Sequence, residues 1–138
     1  MSDLVIFACV HSAGRSQMAV AFFGELADPA RARAIAAGTD PGPRVHPEVV
    51  AAMREVGLDL SAATPRRLTP DLAAGATILV TLGCGEACPI VPGARRLDWP
   101  LPDPRGQPPE VVRAIRDELR EHVRALVRAE GVGRVAAG

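Results

Sequence analysis

Lysine, asparagine and tyrosine are absent from this chain of 138 residues, and aromatic residues make up only 3% of it. Its 16 basic residues are therefore all arginine, and they balance 16 acidic ones. A chain with no net charge has no global field to draw it to nucleic acid or to an anionic membrane, and neither partner is expected. No apolar run reaches the about 18 residues that a membrane span requires, so no spanning helix is expected. The opening segment, MSDLVIFACV, has no basic stretch ahead of its apolar residues, which argues against a signal peptide. Cysteine is scarce, with three residues, and a cytoplasmic location is expected. There a disulfide framework is disfavoured, and cysteines are more often catalytic, redox-active or metal-bound.

What is present suits one domain with one core. Hydrophobic residues account for 48% of the chain, and 13 glycines and 13 prolines punctuate it. Leu4–Ala8 is a continuous apolar run ending at Cys9, which reads as a strand buried on both faces. A short loop follows, Val10–Gly14. From Arg15 the apolar residues Met18, Ala21, Phe22 and Leu26 recur at helical spacing until Asp28-Pro29. Arg31–Ala37 reads as a strand closed by Gly38. Pro47 opens a helix that Gly57 ends, and Thr69 can cap a short one over Pro70–Ala74. Thr77–Leu82 is a second buried strand, and Arg95–Asp98 a short one. From Pro109 a long helix keeps Val112, Ile115, Leu119, Val123 and Leu126 on one face. Residues 1–130 are expected to form the single domain and 131–138 a flexible tail. This alternation predicts an α/β fold: an open parallel sheet with helices on both faces. Ligands of such sheets sit beyond the carboxyl ends of the strands. All three cysteines follow such ends.

Cys9-Val10-His11-Ser12-Ala13-Gly14-Arg15-Ser16 spells Cys-x5-Arg-Ser between a strand and a helix. A loop that winds into a helix start aims several backbone N–H groups at one point, where the helix dipole is positive. A tetrahedral oxyanion fits there, and Arg15 adds a planar fork of donors. The same field favours the thiolate at a cysteine at the base of the loop, and Ser16 can hydrogen-bond that sulfur. One set of groups, Val10 to Ser16, would thus bind the anion and activate the nucleophile. His11 reads as a residue that shapes the rim.

The segment VIFACVHSAGRSQMA resembles the opening of the low-molecular-weight protein tyrosine phosphatase superfamily, and its SQMA is more like the arsenate reductase branch. The resemblance continues through Ala37-Gly38, Val56–Ser61, VTLGCGEACPIVPG and LDWPLPDPRGQPPEVVRAIRDEL, and spans roughly residues 3 to 128. It implies four parallel strands in flavodoxin-like order. It also implies that an Asp-Pro on a late loop, here Asp103-Pro104, supplies the general acid that protonates the leaving oxygen. Asp98, next to Trp99, is the competing carboxylate and reads as structural. One departure stands out. The family usually carries Asn three residues after the cysteine, and this chain has Ser12, whose shorter side chain holds the loop less firmly.

Cys84 and Cys88 stand in Cys84-Gly85-Glu86-Ala87-Cys88-Pro89. They could be half of a structural zinc site, but the two further ligands would have to come from Cys9 and three unpaired histidines. They could be inert buried thiols. The resemblance implies a third reading, a relay. Arsenate forms an adduct on Cys9, Cys84 attacks the Cys9 sulfur and releases arsenite, and Cys88 then takes over the disulfide. If the segment coils, four positions bring two Cα atoms to about 6 Å, within disulfide range. Thioredoxin-coupled relatives use three cysteines in this way, and others use mycothiol and a mycoredoxin. No cofactor or metal is expected.

Three functions therefore compete: an arsenate reductase, a phosphatase on phosphotyrosine or small phosphoesters, and a non-catalytic oxyanion-binding module. The missing tyrosines count against a slot for an aryl phosphate, because only Trp99 remains to wall one. The presence together of Cys9, Arg15, Cys84, Cys88 and Asp103 counts against a dead scaffold. The first reading is preferred, with residual phosphatase activity expected from the likeness of arsenate and phosphate.

Overall fold

The computed structural model describes residues 3–83 and 91–134. Four strands, β1 (Asp3–Cys9), β2 (Ala32–Gly38), β3 (Ile78–Thr81) and β4 (Arg95–Asp98), form one sheet in the order β2-β1-β3-β4. All three pairings are parallel, with Cys9 opposite Gly38, Ala8 opposite Thr81 and Thr81 opposite Asp98. Four helices, α1 (Arg15–Leu26), α2 (Pro47–Arg54), α3 (Pro70–Ala73) and α4 (Pro109–Glu130), connect or follow the strands. This is the expected α/β fold in flavodoxin-like order.

The alternation of side chains along β1 explains why the sheet needs cover on both faces. Val5, Phe7 and Cys9 join the larger core with Met18, Phe22 and Phe23 of α1, Val49 and Met53 of α2, and Ile115, Leu119 and Val123 of α4. Leu4, Ile6 and Ala8 point the other way, to a smaller core with Leu79, Ala76 and Val91, against which Leu68, Leu72 and Ala73 pack. With both faces dry, the strand reads as an unbroken apolar run.

Helix boundaries follow local chemistry. Pro47 and Pro109 open α2 and α4, where a missing N–H costs nothing. Thr69 Oγ1 accepts from Leu72 N at 3.1 Å and caps α3, as its sequence suggests. Residues 131–134, the described part of the expected tail, are held against α1. Val132 is buried, Arg134 N donates to Leu26 O at 3.1 Å, and the Arg134 guanidinium holds the carbonyls of Gly24 and Glu25 at 2.9 Å. These carbonyls belong to the last turn of α1, which has no intrahelical donor for them, so residues 131–134 serve as its C-terminal cap. None of the described helices is long and apolar enough to cross a membrane.

Glu55, just past α2, receives Arg113 and Arg116 of α4, each at 2.8 Å. The hydrogen bond from Arg113, then that from Arg116, holds the Glu55 carboxyl at about 2, below its ordinary 4.5. A carboxyl lowered on folding contributes stability that is complete above its unfolded value and lost as pH falls towards the folded one. Glu55→Gln is therefore expected to lower Tm by a few degrees at neutral pH. The gap to wild type should close between pH 4.5 and about 2. Thermal melts across that range test this, and a gap independent of pH would refute the assignment.

Candidate active site

Because every strand runs the same way, the segments after Cys9, Gly38, Thr81 and Asp98 all leave one edge of the sheet. The strand order reverses between β1 and β3, and ligands of open α/β sheets bind beside such a switch point. The Cys9–Ser16 loop lies there.

The loop turns its carbonyls outward. Val10 O accepts from Asp40 N at 2.8 Å, His11 O from Gly42 N at 2.9 Å, Ala13 O from His46 N at 2.9 Å and Gly14 O from Met18 N at 3.0 Å. Ser12 O accepts from Gln17 Nε2 at 2.8 Å. A planar trans peptide puts its N–H opposite its C=O. The five N–H groups that follow, His11 to Arg15, therefore face away from these partners. None of them donates to another described residue. The start of α1 adds to this array. Its N-cap is Gly14, no side chain caps it, and no acidic residue stands in its first turn, so its positive end stays open.

Cys9 is 2% exposed, and its Sγ lies 3.1 Å from Ser16 Oγ. That hydroxyl accepts from the thiol and would donate to a thiolate. Arg15 is buried, and one of its terminal nitrogens donates to Leu101 O at 2.8 Å. A guanidinium has five N–H donors in a fixed fork, so this anchor orients the side chain while leaving others to face a ligand.

Two glycines are required by this crowding. A Cβ on Gly38 would sit 2.5 Å from Val10 O and 2.9 Å from both Cys9 O and Ser12 N. A Cβ on Gly83 would come within 2.5 Å of the Arg15 guanidinium and 3.0 Å of Leu101 O.

Ser12 is fully buried and has φ of 52°. A serine in the left-handed region costs on the order of 1 kcal/mol. Gln17 and the N–H of Arg66, 3.4 Å from Ser12 Oγ, hold it there. The support lacking from an Asn side chain thus comes from neighbours.

Asp103 is exposed and accepts from Arg105 N at 2.9 Å. It sits between Leu101, which Arg15 tethers, and Pro104, which packs on Gly14: a Cβ on that glycine would meet Pro104 Cγ at 3.1 Å. The loop carrying Asp103 is thus seated directly against the anion loop. His46 completes the rim, 3.3 Å from the same Cβ position. Burial lowers its imidazole below the ordinary value, and the carboxylates of Glu48 and Asp103 oppose that shift. His11 Nδ1 donates to Asp40 O at 3.0 Å, in keeping with a loop-shaping role. Beside this rim opens a cleft of about 510 Å³, lined by residues that include His11, Arg44, His46 and Arg105 and, among the described residues, by no phenyl or indole ring.

Two sequence readings are settled away from the site. Asp98 Oδ1 is bound by the Thr81 hydroxyl and by Arg96 Nε at 3.0 Å, a structural role. Trp99 does not wall the cleft. Its ring stacks on His122 at 5.1 Å and packs against Phe7 at 5.9 Å. Cys84 and Cys88 lie outside the described residues, in the segment between Gly83 and Val91. Gln17, His46, Gly38 and Gly83 were not singled out from the sequence as site residues. The glycines carried a signal, one closing a strand and one opening the cysteine-bearing loop, and Gln17 carried one only as part of SQMA.

A parallel sheet whose first strand ends in a cysteine, followed by an anion loop and an arginine, defines a class of enzymes. Residues 4–135 match the family model of the low molecular weight phosphotyrosine protein phosphatases, and the chain belongs to that family. Within it the chain is 40% identical over 123 residues to a Halobacterium salinarum protein provisionally named arsenate reductase, with 85% of each chain covered. Its fold matches a thioredoxin-dependent arsenate reductase of Corynebacterium glutamicum with a TM-score of 0.79 and 34% identity. That match covers 93% of this chain but only 61% of the other, so this protein spans less than two thirds of that relative. An arsenate reductase solved in its phosphate-binding state gives a TM-score of 0.77 at 32% identity, covering 92% of this chain and 98% of that one.

Gly83→Ala is expected to displace the Arg15 guanidinium, the movable partner in the clash, and to strain a backbone with φ of 82°. Binding of inorganic phosphate should weaken about tenfold, with a Tm loss of only a few degrees. Titration calorimetry alongside thermal melts tests this, and an unchanged phosphate affinity would contradict it.

Proposed function

We propose that this protein is an arsenate reductase, with Cys9 as nucleophile, Arg15 and the Val10–Ser16 loop as the oxyanion site, and Asp103 as general acid. The observation that carries the reading is the outward tethering of five consecutive carbonyls, which presents the N–H groups of His11 to Arg15 to an anion beside a buried cysteine. A naked tetrahedral oxyanion suits the cleft beside this loop, which has no phenyl or indole wall among the described residues, better than an aryl ester does.

In the first step the Cys9 thiolate attacks arsenic. An S–As bond forms, and the departing oxygen takes a proton from Asp103 and leaves as water. In the second, the Cys84 thiolate attacks Cys9 Sγ. The S–As electron pair passes to arsenic, which leaves as arsenite, so As(V) becomes As(III) and two thiols become a disulfide. In the third, the Cys88 thiolate attacks Cys84 and frees Cys9. An external dithiol then reduces Cys84–Cys88. Thioredoxin is favoured as that dithiol by the thioredoxin-dependent relative, and the alternative reductant is a monothiol, mycothiol, working with a mycoredoxin that resolves the mixed disulfide. A cycle that depends on reducing power belongs in the cytoplasm.

The test is arsenate-dependent NADPH consumption by the reduced protein. One assay couples it to thioredoxin and thioredoxin reductase, another to mycothiol, mycoredoxin and its reductase, with p-nitrophenyl phosphate hydrolysis in parallel. Turnover in either coupled system is the expected result. Rapid phosphate release without it would make the protein a phosphatase, and arsenate binding without either activity would make it a binding module. Cys9→Ser should abolish reduction. Cys84→Ser and Cys88→Ser should each stop thioredoxin-coupled turnover, and normal turnover of Cys88→Ser with every reductant would sink the relay.

A further inference from the structure

The chemistry above leaves Gln17 without a task, yet this side chain is only 7% exposed and its amide nitrogen is engaged. Its Nε2 donates to Ser12 O at 2.8 Å and lies 3.3 Å from Thr64 O and 3.4 Å from Ser12 Oγ. The amide thus ties the first turn of α1 to the loop and to the connector between α2 and α3. The connector is itself braced on the end of β2, where Gly38 N donates to Arg66 O at 2.8 Å and Leu68 N to Gly38 O at 2.9 Å.

Among the five outward carbonyls, those of Val10, His11, Ala13 and Gly14 are held by backbone N–H groups. Only that of Ser12 is held by a side chain. It also belongs to the residue with positive φ, where an L side chain is least at ease. If the Ser12 carbonyl loses its partner, the Ser12–Ala13 peptide can turn over by rotation about Ser12 ψ and Ala13 φ. Its carbonyl would then face the anion, and the Ala13 N–H would face away. One peptide flip exchanges an attraction for a repulsion.

We propose that Gln17 is a positioning residue whose amide holds the Ser12–Ala13 peptide in the anion-binding orientation and so sets the oxyanion affinity of the loop. The proposal deepens the oxyanion-site reading and rests on it.

The test uses inorganic phosphate as the probe and titration calorimetry on the reduced, full-length protein, with thermal melts of each variant. Gln17→Met keeps the volume of the side chain but donates nothing, and Gln17→Ala removes both. Both are expected to weaken phosphate binding about tenfold, the loss of roughly one buried hydrogen bond. Gln17→Glu is the sharper variant. Set among carbonyl oxygens and buried, its carboxyl is pushed up. Ionised, it repels Ser12 O; protonated, it donates an O–H to it. Measured against wild type at each pH, Gln17→Glu should bind more than tenfold more weakly at about pH 8 and come within about threefold near pH 5.5.

Wild-type phosphate affinity in both Gln17→Met and Gln17→Ala would overturn the proposal, even with a lowered Tm. A Gln17→Glu deficit that does not change with pH would overturn it too, since packing alone has no such dependence. If Gln17→Glu melts below the assay temperature at the higher pH, the Met and Ala variants decide. Failure of the wild-type protein to bind phosphate is a separate result, and it removes the oxyanion reading itself.

Discussion

A backbone that offers its N–H groups to an anion must place its C=O groups somewhere else. That constraint organises this molecule. From Val10 to Gly14, five consecutive carbonyls find donors, two from α1, which follows directly, and three from the segment after β2. Without them, buried carbonyls would turn to water or to the loop's own N–H groups, which would cease to converge.

The rest of the fold supplies those donors. The segment after β2 wraps the loop and gives it three N–H groups, from Asp40, Gly42 and His46. Pro41, Pro43 and Pro47 interleave with them and have no N–H to offer, which leaves few alternative pairings. The parallel sheet brings this segment to Cys9, because β1 and β2 end together at Cys9 and Gly38. On the other flank Arg15 reaches Leu101, 86 residues away, and draws in the loop that carries Asp103. Gly83 leaves room for that reach. Anion loop, guanidinium and acid-bearing loop are thus one packed unit, so a change at any of these contacts is felt at the others.

Much of this was legible in the order of residues. The apolar run at Leu4–Ala8, the small-residue loop and the helical spacing after Arg15 are local patterns, and a strand, a loop and a helix formed where they fall. Cys9, Arg15 and Ser16 could be singled out because their spacing within one loop already implies convergence. Other features could not be read. Trp99 reads as free to wall a pocket, but it stacks on His122 of α4 and packs against Phe7 of β1, contacts between residues far apart in sequence. Residues 131–134 look like a tail by composition and are held by the end of α1. The weakness expected at Ser12 follows from that residue's own side chain, whereas its contacts to Gln17 and Arg66 are not legible there.

By itself, the sequence determined the alternation of strands and helices, the two-faced burial of β1 and the identity of the nucleophile and the guanidinium, because each depends on residues within a few positions of one another. Tertiary structure alone decided which way the loop's peptides point, where Arg15 is anchored, and that Gln17 and His46 border the site. Apart from the local bonds that Gln17 and Met18 of α1 make to the loop, each of these rests on a hydrogen bond or a close approach between segments that the order β2-β1-β3-β4 brings to the same edge of the sheet.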